Sequence, residues 1–254
     1  MKLNNIINSK FLFLLLILWN QEIFAQISIK NAEDFSIGTT LVFQNCKTEN
    51  IHPGKAGKNL IWDFSKLKKK ENDTVIEQMV LPKFTDYDTI FPQANMVEKY
   101  SDGKLVFFIK DKTENNLLGF IDENSKIKIQ YTDPMLFAKR PITFGDTITD
   151  KFKTKFNTRG MDFNGNGIIS IISDGYGKLI LPNKTYENVL RVKIVQKTIN
   201  KIIQYNSESI THTTTYVWFD KLHTSALLKI DKTESDYFND YSIQYLLREY
   251  IDNF

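Results

Sequence analysis

Hydrophobic and polar residues alternate with a period of two along most of this chain. In "ITDKFKTKF", residues 148–156, Ile148, Phe152 and Phe156 fall on one face and Lys151, Lys153 and Lys155 on the other. "KIKIQY" sets Ile127, Ile129 and Tyr131 against Lys126, Lys128 and Gln130, and "VLRVKIV" sets Leu190, Val192 and Ile194 opposite Arg191 and Lys193. Similar runs recur at 40–44, 74–81, 104–110, 115–121, 177–181, 214–219, 226–230 and 241–247. Successive side chains of a strand point to opposite faces, so this alternation predicts strands with one buried and one wet face.

No stretch of helical length after the N-terminus shows an apolar stripe with a 3.6-residue period. The segment "DYSIQYLLREY" alternates at Tyr241, Ile243, Tyr245 and Leu247 and is predicted as a strand. Turn-forming clusters separate the runs: "HPGKAG", "SDGK", "NGNG", "SDGYG" and "LPNK". Aromatic residues make up 13% of the chain, which favours pleated, half-buried surfaces. The predicted fold is therefore all-β: an antiparallel sandwich or a curved half-barrel sheet of many short strands. Pro134 and Pro141 flank "MLFAKR" and mark the place where the domain would divide into two lobes.

The N-terminus follows a different rule. Lys2 and Lys10 precede an unbroken apolar run, Phe11 to Trp19, and Ala25 offers a small residue before a cut. That order predicts a secretory signal peptide over residues 1–25 and a mature domain over 26–254. The apolar run is nine residues long, whereas a membrane-spanning helix needs about 20. The expected location is periplasmic or secreted, with no stable membrane span after cleavage. Net charge is +3, too balanced to imply a nucleic-acid partner. The run "KLKKK" at 66–70 reads as a solvated loop. Cys46 is the only cysteine, so no intrachain disulfide forms and the core alone must hold the fold. A lone cysteine of this kind reads as a small buried apolar residue.

The stretch "MDFNGNGIISIIS" carries the nearest approach to a chemical motif. Asp162, Asn164, Asn166 and Gly167 match the first half of a calcium-binding loop, but position twelve is Ser173 rather than the bidentate Glu. Asn-Gly is also the favoured pair of a tight hairpin turn, and "NGNG" offers it twice. A hairpin turn is the expectation here; the alternative is a calcium site on Asp162, Asn164 and Asn166, and no other cofactor is implied. There is no nucleophile elbow, zinc-protease helix or phosphate-binding loop. Asp63, Asp146 and Asp174 are the acid candidates, with turn capping as the plainer role. His212 shares a strand face with Thr214, Tyr216 and Trp218. Trp62 and Trp218 are expected to anchor the core.

The segment "DGYGKLILPNKTYENVLRVK", residues 174–193, resembles a family of uncharacterised exported proteins of the Bacteroidota. "PGKAGKNLIWDFSKL", "FPQAN", "PITFGDTITDKF" and "YVWF" match it in the same order. The resemblance implies export and names no activity. Many members carry a type IX sorting domain, which is not expected in this chain. The succession of "KLILPNKTYENVLRV", "TTYVWFDK" and "ALLKI" is also similar to periplasmic curved-sheet proteins related to lipoprotein carriers. That similarity implies a concave apolar surface made by Leu190, Val192, Ile194, Tyr216 and Trp218. The expected function is a non-enzymatic binding or interaction module, with a hydrophobic small molecule or a cell-envelope protein as partner. The alternatives are a carrier of a hydrophobic ligand and a hydrolase whose acids come from distant strands.

Overall fold

The computed structural model describes residues 27–252 apart from residue 159, so the expected signal peptide lies outside the described residues. The alternating runs form strands throughout. In chain order they are β1 (Ser28–Ile29), β2 (Thr39–Cys46), β3 (Gly57–Asp63), β4 (Lys69–Val80), β5 (Met96–Tyr100), β6 (Lys104–Lys110), β7 (Glu114–Asp122) and β8 (Ile127–Lys139). Then follow β9 (Ile142–Thr143), β10 (Thr147–Thr158), β11 (Met161–Ile180), β12 (Thr185–Ile202), β13 (Ser207–Phe219), β14 (Leu228–Ser235) and β15 (Asn239–Ile251). A single turn of 3-10 helix, Pro82–Phe84, links β4 to β5.

The sheet is neither a sandwich nor a half-barrel. Its order is β10-β8-β7-β6-β5-β4-β2-β15-β14-β13-β12-β11, and β11 then pairs back onto β10 from Thr147↔Ile172 to Thr158↔Met161. Twelve antiparallel strands therefore close into a barrel and leave no free edge among themselves. β11 is 20 residues long and β10 only 12, so the upper edge of β11 outlasts its partner. β3 fills that edge in parallel, from Gly57↔Gly175 to Asp63↔Ile180. Pro134 stands within β8 where its pairing with β7 shifts register and just past Asp133, its last pair with β10, a place where a missing N–H costs little.

The "NGNG" stretch is not a hairpin turn. It lies inside β11, and the chain reverses earlier, between Thr158 and Met161, with Gly160 at φ 76°. The glycines are needed for a different reason. A Cβ on Gly167 would come within 2.0 Å of the Phe152 ring, which lies flat across β11 inside the barrel. Tertiary packing of an aromatic ring, rather than local turn geometry, selects glycine here.

Facing follows the alternation. Phe43, Met79, Phe108, Phe152, Ile171 and Val192 belong to the buried core inside the barrel. Lys151, Lys153 and Lys155 stand exposed on the outside of β10, and Lys197 and Lys201 on the outside of β12. This polarity is the reverse of a lipid-embedded barrel, where a lysine on the outer face costs about 2–4 kcal/mol at the membrane midplane. Among the described residues, no helix is long and apolar enough to cross a membrane.

One end of the barrel is plugged by the segment 27–37. β1 pairs with β9, and Ile29, Ala32 and Phe35 are buried. Buried Arg140 donates to the carbonyls of Glu33 (3.2 Å) and Asp111 (2.8 Å) and to Asn115 Oδ1 (3.1 Å), stitching the plug to β7. A flap comprising residues 47–56 and β3 covers the outside of β12 and β13. Beneath it Trp62 meets Trp218 edge-on at 5.9 Å.

Candidate functional site: the barrel lumen

Charged residues occupy the apolar phase of three strands. In β4 the inward positions include Val75, Glu77 and Met79; in β5 they are Met96, Glu98 and Tyr100. Lys229 and Asp231 point inward from β14, in register with Val217 and Thr215 of β13. Lys229 reaches across β15 and β2. Its ammonium passes 4.2 Å from the Phe43 ring centroid and contacts both Glu77 oxygens, at 3.2 and 3.3 Å. A buried ammonium needs such a partner, because desolvating an unpaired charge costs several kcal/mol.

Glu33 completes the group from the plug. Its φ of 56° places it in the left-handed region, which non-glycine residues hold only when their surroundings dictate it. Those surroundings are visible. Its N–H donates to the Thr224 carbonyl at 2.8 Å, and its own carbonyl accepts from Asn115 Nδ2 at 2.7 Å and from Arg140. With the backbone pinned on both sides, the carboxyl projects into the lumen.

These groups line a cavity of about 250 Å³. Its opposite wall is apolar: Met135, Phe137, Ile171, Val192, Val217 and Phe219. The accessible surface that Glu33, Lys229 and Asp231 retain faces this cavity, since each is otherwise enclosed by protein. Burial dominates their protonation. It pushes Glu33 up to about 7, against the opposing pull of Lys229. Glu98 is raised well above the usual carboxylate range, first by burial and then by the neighbouring Glu77. Asp231 is raised by burial although Thr215 donates a 2.6 Å hydrogen bond to it. Burial alone would lower Lys229, but Glu77, Glu98 and Glu33 outweigh it and hold the ammonium charged. Tyr100 is raised by burial and by Glu98, so its hydroxyl stays protonated as a donor. The lumen thus has carboxyls that lack a full complement of cations, facing an apolar wall.

The residues singled out in the sequence divide between the two faces. Leu190, Val192 and Ile194 belong to the inward set, and Val192 and Ile194 line the cavity. Tyr216 and Trp218 do not join them: the register pairs Leu190 with Phe219, Arg191 with Trp218 and Lys193 with Tyr216. Trp218 and Tyr216 instead pack outside around Arg191, whose guanidinium lies 5.3–5.8 Å from the Trp62, Tyr216 and Trp218 rings. Arg191 is 1% exposed rather than wet. It is satisfied by a bidentate pair with Asp174 (2.7 and 3.0 Å) and by the Pro53 and Gly54 carbonyls.

The three acid candidates hold structure together. Asp174 pairs with Arg191, Asp146 accepts from the Thr143 N–H (2.7 Å), and Asp63 accepts from the Ser65 N–H (2.9 Å). Asp162, Asn164 and Asn166 lie in a row on the exposed outer face of β11, and Asp162 bonds Asn157 and Gln204. Among the described residues, no group of three or more His, Cys, Asp or Glu is arranged to hold a metal ion. His212 stands between Lys197 and Glu234 on the outer face. Cys46 is buried and its thiol is pushed up to about 11 by that burial.

Glu33, Glu77, Glu98, Lys229 and Asp231 are not among the residues that the sequence motifs single out. A signal was available at two of them: Glu77 and Glu98 interrupt the apolar phases "V-x-E-x-M" and "M-x-E-x-Y". Comparison with protein-family models, curated proteins and solved structures returns no match to this chain.

Proposed function

We propose that this protein is an exported, non-enzymatic barrel that binds a small amphipathic molecule in its lumen. The ligand's apolar body lies against Val192, Val217 and Phe137, and its hydrogen-bond-donating or cationic head meets Glu33, Glu98 and Asp231. One observation carries this reading: the 250 Å³ cavity has an apolar wall and, facing it, carboxyls whose charge the protein itself does not fully balance. Its size lies just below the ~300 Å³ at which small-molecule pockets begin, which favours a short ligand. A ligand cation supplies the missing counter-charge, so its affinity rises with pH as Glu33 ionises around 7. The charged outer wall suits a barrel working in water. The N-terminal signal and the resemblance to exported proteins support export.

The test is calorimetric titration of the mature protein with hexylamine, hexanol and hexanoate. Hexylamine is expected to bind saturably and more tightly at pH 8 than at pH 6, hexanol weakly, and hexanoate not at all. Val192→Trp, which fills the cavity, is expected to abolish binding. Absence of binding by both amine and alcohol sinks the proposal.

A second reading, acid-assisted hydrolysis, is favoured by Glu98, a carboxyl held protonated beside the ion-paired Glu77. Turnover of nitrophenyl esters or glycosides that vanishes in Glu98→Gln would select it over binding.

A further inference from the structure

A second site is built on the outer wall near the plugged end, and it shares no lining residue with the lumen. His223 lies in the connection between β13 and β14. Asp220, 5% exposed, accepts the backbone N–H groups of Leu222 (3.0 Å) and His223 (2.9 Å). The two Asp220 oxygens also stand 2.9 and 3.1 Å from His223 Nδ1. Nδ1 is thereby committed, and Nε2 is the ring nitrogen left for a ligand. The Tyr186 ring meets the imidazole edge-on at 5.9 Å and limits its rotation.

Beside His223 opens a cleft of about 380 Å³. Its other walls bring Lys184 from the turn before β12 and Arg248 from β15. Among the described residues neither forms an ion pair; Lys184 only overlies the Tyr186 ring at 4.9 Å. The nearby acid, Glu249, is engaged by the N–H groups of Thr224 (3.0 Å) and Ser225 (3.3 Å) and by the Thr224 hydroxyl. Three cationic donors from three separate elements thus converge on one cleft whose acids are already occupied.

We propose that this cleft binds the dianionic phosphate group of a phosphomonoester, with His223 donating from Nε2 and Lys184 and Arg248 supplying the remaining donors. A guanidinium fork matches two phosphate oxygens, while a carboxylate would leave one of the three donors idle. The neutral imidazole presents a lone pair at Nε2, so binding requires the imidazolium. The hydrogen bond that Nδ1–H donates to Asp220 raises His223 above its usual value, burial and Lys184 oppose, and the charges of Asp220 and Glu249 add to the rise. A phosphomonoester gains its second charge near pH ~6. Affinity is therefore bell-shaped in pH, falling on the acid side as the ligand protonates and on the alkaline side as His223 loses its proton.

Isothermal titration of the full mature protein with phenyl phosphate, inorganic phosphate, sulfate and acetate tests this. Phenyl phosphate is expected to bind saturably with the bell-shaped profile, and inorganic phosphate more weakly. Sulfate, charged throughout, is expected to lose affinity only on the alkaline side. His223→Asn is expected to weaken phenyl phosphate by at least about tenfold, the loss typical of a hydrogen bond to a charged group. Lys184→Ala and Arg248→Ala, at exposed positions, are expected to weaken it severalfold while melting temperature stays unchanged. If His223→Asn fails to fold, the Lys184/Arg248 double variant decides. The proposal is overturned by no saturable binding to the wild type, by unchanged affinity in these variants, or by acetate binding as well as phosphate. Tighter binding of inorganic phosphate than of the ester overturns the ester assignment.

Discussion

At the scale of single residues, position in the pleat matters more than residue type. Lys229 and Lys153 are both strand lysines in alternating runs, yet one is held inside against Glu77 and the other is solvated. Lys229→Met would leave Glu77 buried without its counter-ion, at a cost of about 3–5 kcal/mol. Adding Glu77→Gln is expected to restore much of that loss, since a neutral pair needs no compensation. Urea unfolding of the two single variants and the double variant measures this coupling, and additive losses would show that the two side chains do not act as a pair. Arg191 makes the same point on the outside. Its guanidinium is buried because a flap brings Trp62, Pro53 and Gly54 over it, and its charge is answered by Asp174.

At the scale of elements, two pieces finish what the alternating strands leave open. β3 covers the upper edge of β11, which β10 is too short to reach. The plug covers the open end of the lumen and delivers Glu33 to the cavity. Removing residues 27–37 would expose the apolar surface buried by Ala32 and by Ile29 and Phe35, the last two worth up to about 1.5–3 kcal/mol each. The truncated barrel is expected to melt at a lower temperature and to bind a hydrophobic dye such as ANS. A truncated protein that melts like the full chain and binds no dye would show that the plug does not seal the lumen.

At the scale of the molecule, closure of twelve strands creates a low-dielectric interior, and the ionisable groups trapped there couple stability to pH. Glu33, Glu98 and Asp231 all have folded-state values above their unfolded ones. The folded barrel therefore binds more protons than the unfolded chain in this range. Their stabilising contribution is complete below the unfolded value and is lost as pH rises through the folded one. For Glu33 that window runs from 4.5 to about 7, worth at most about 3 kcal/mol. Melting temperature is expected to fall from pH 5 to pH 7.5, and Glu33→Gln and Glu98→Gln to flatten the slope. The same slope in wild type and variants would mean that these carboxyls are not the source. Bound hexylamine would reduce the slope by giving Glu33 a counter-charge.

Strand positions and facing were legible in the chain because a period of two is a local property, set by the pleat and by burial of one face. The alternation at 127–131, 148–156 and 189–195 suffices to predict β8, β10 and β12 with their inward residues. Other features depend on which distant strands become neighbours. Closure needs β15, the last strand, to pair with β2, the first of the twelve, from Gln244↔Asn45 to Ile251↔Thr39, and no local pattern distinguishes that from an open curved sheet. "NGNG" carries the composition of a turn, yet it lies within a 20-residue strand because Phe152 needs the space above Gly167. The apolar set at 190–194, 216 and 218 is divided by a register that only pairing defines. The lumenal site is assembled from β4, β5, β14 and the plug, far apart in the chain. Local alternation determined the strands and their faces by itself; only the closed barrel decided which charges would meet inside, because their protonation and pairing depend on a shared interior that exists only once the sheet has closed.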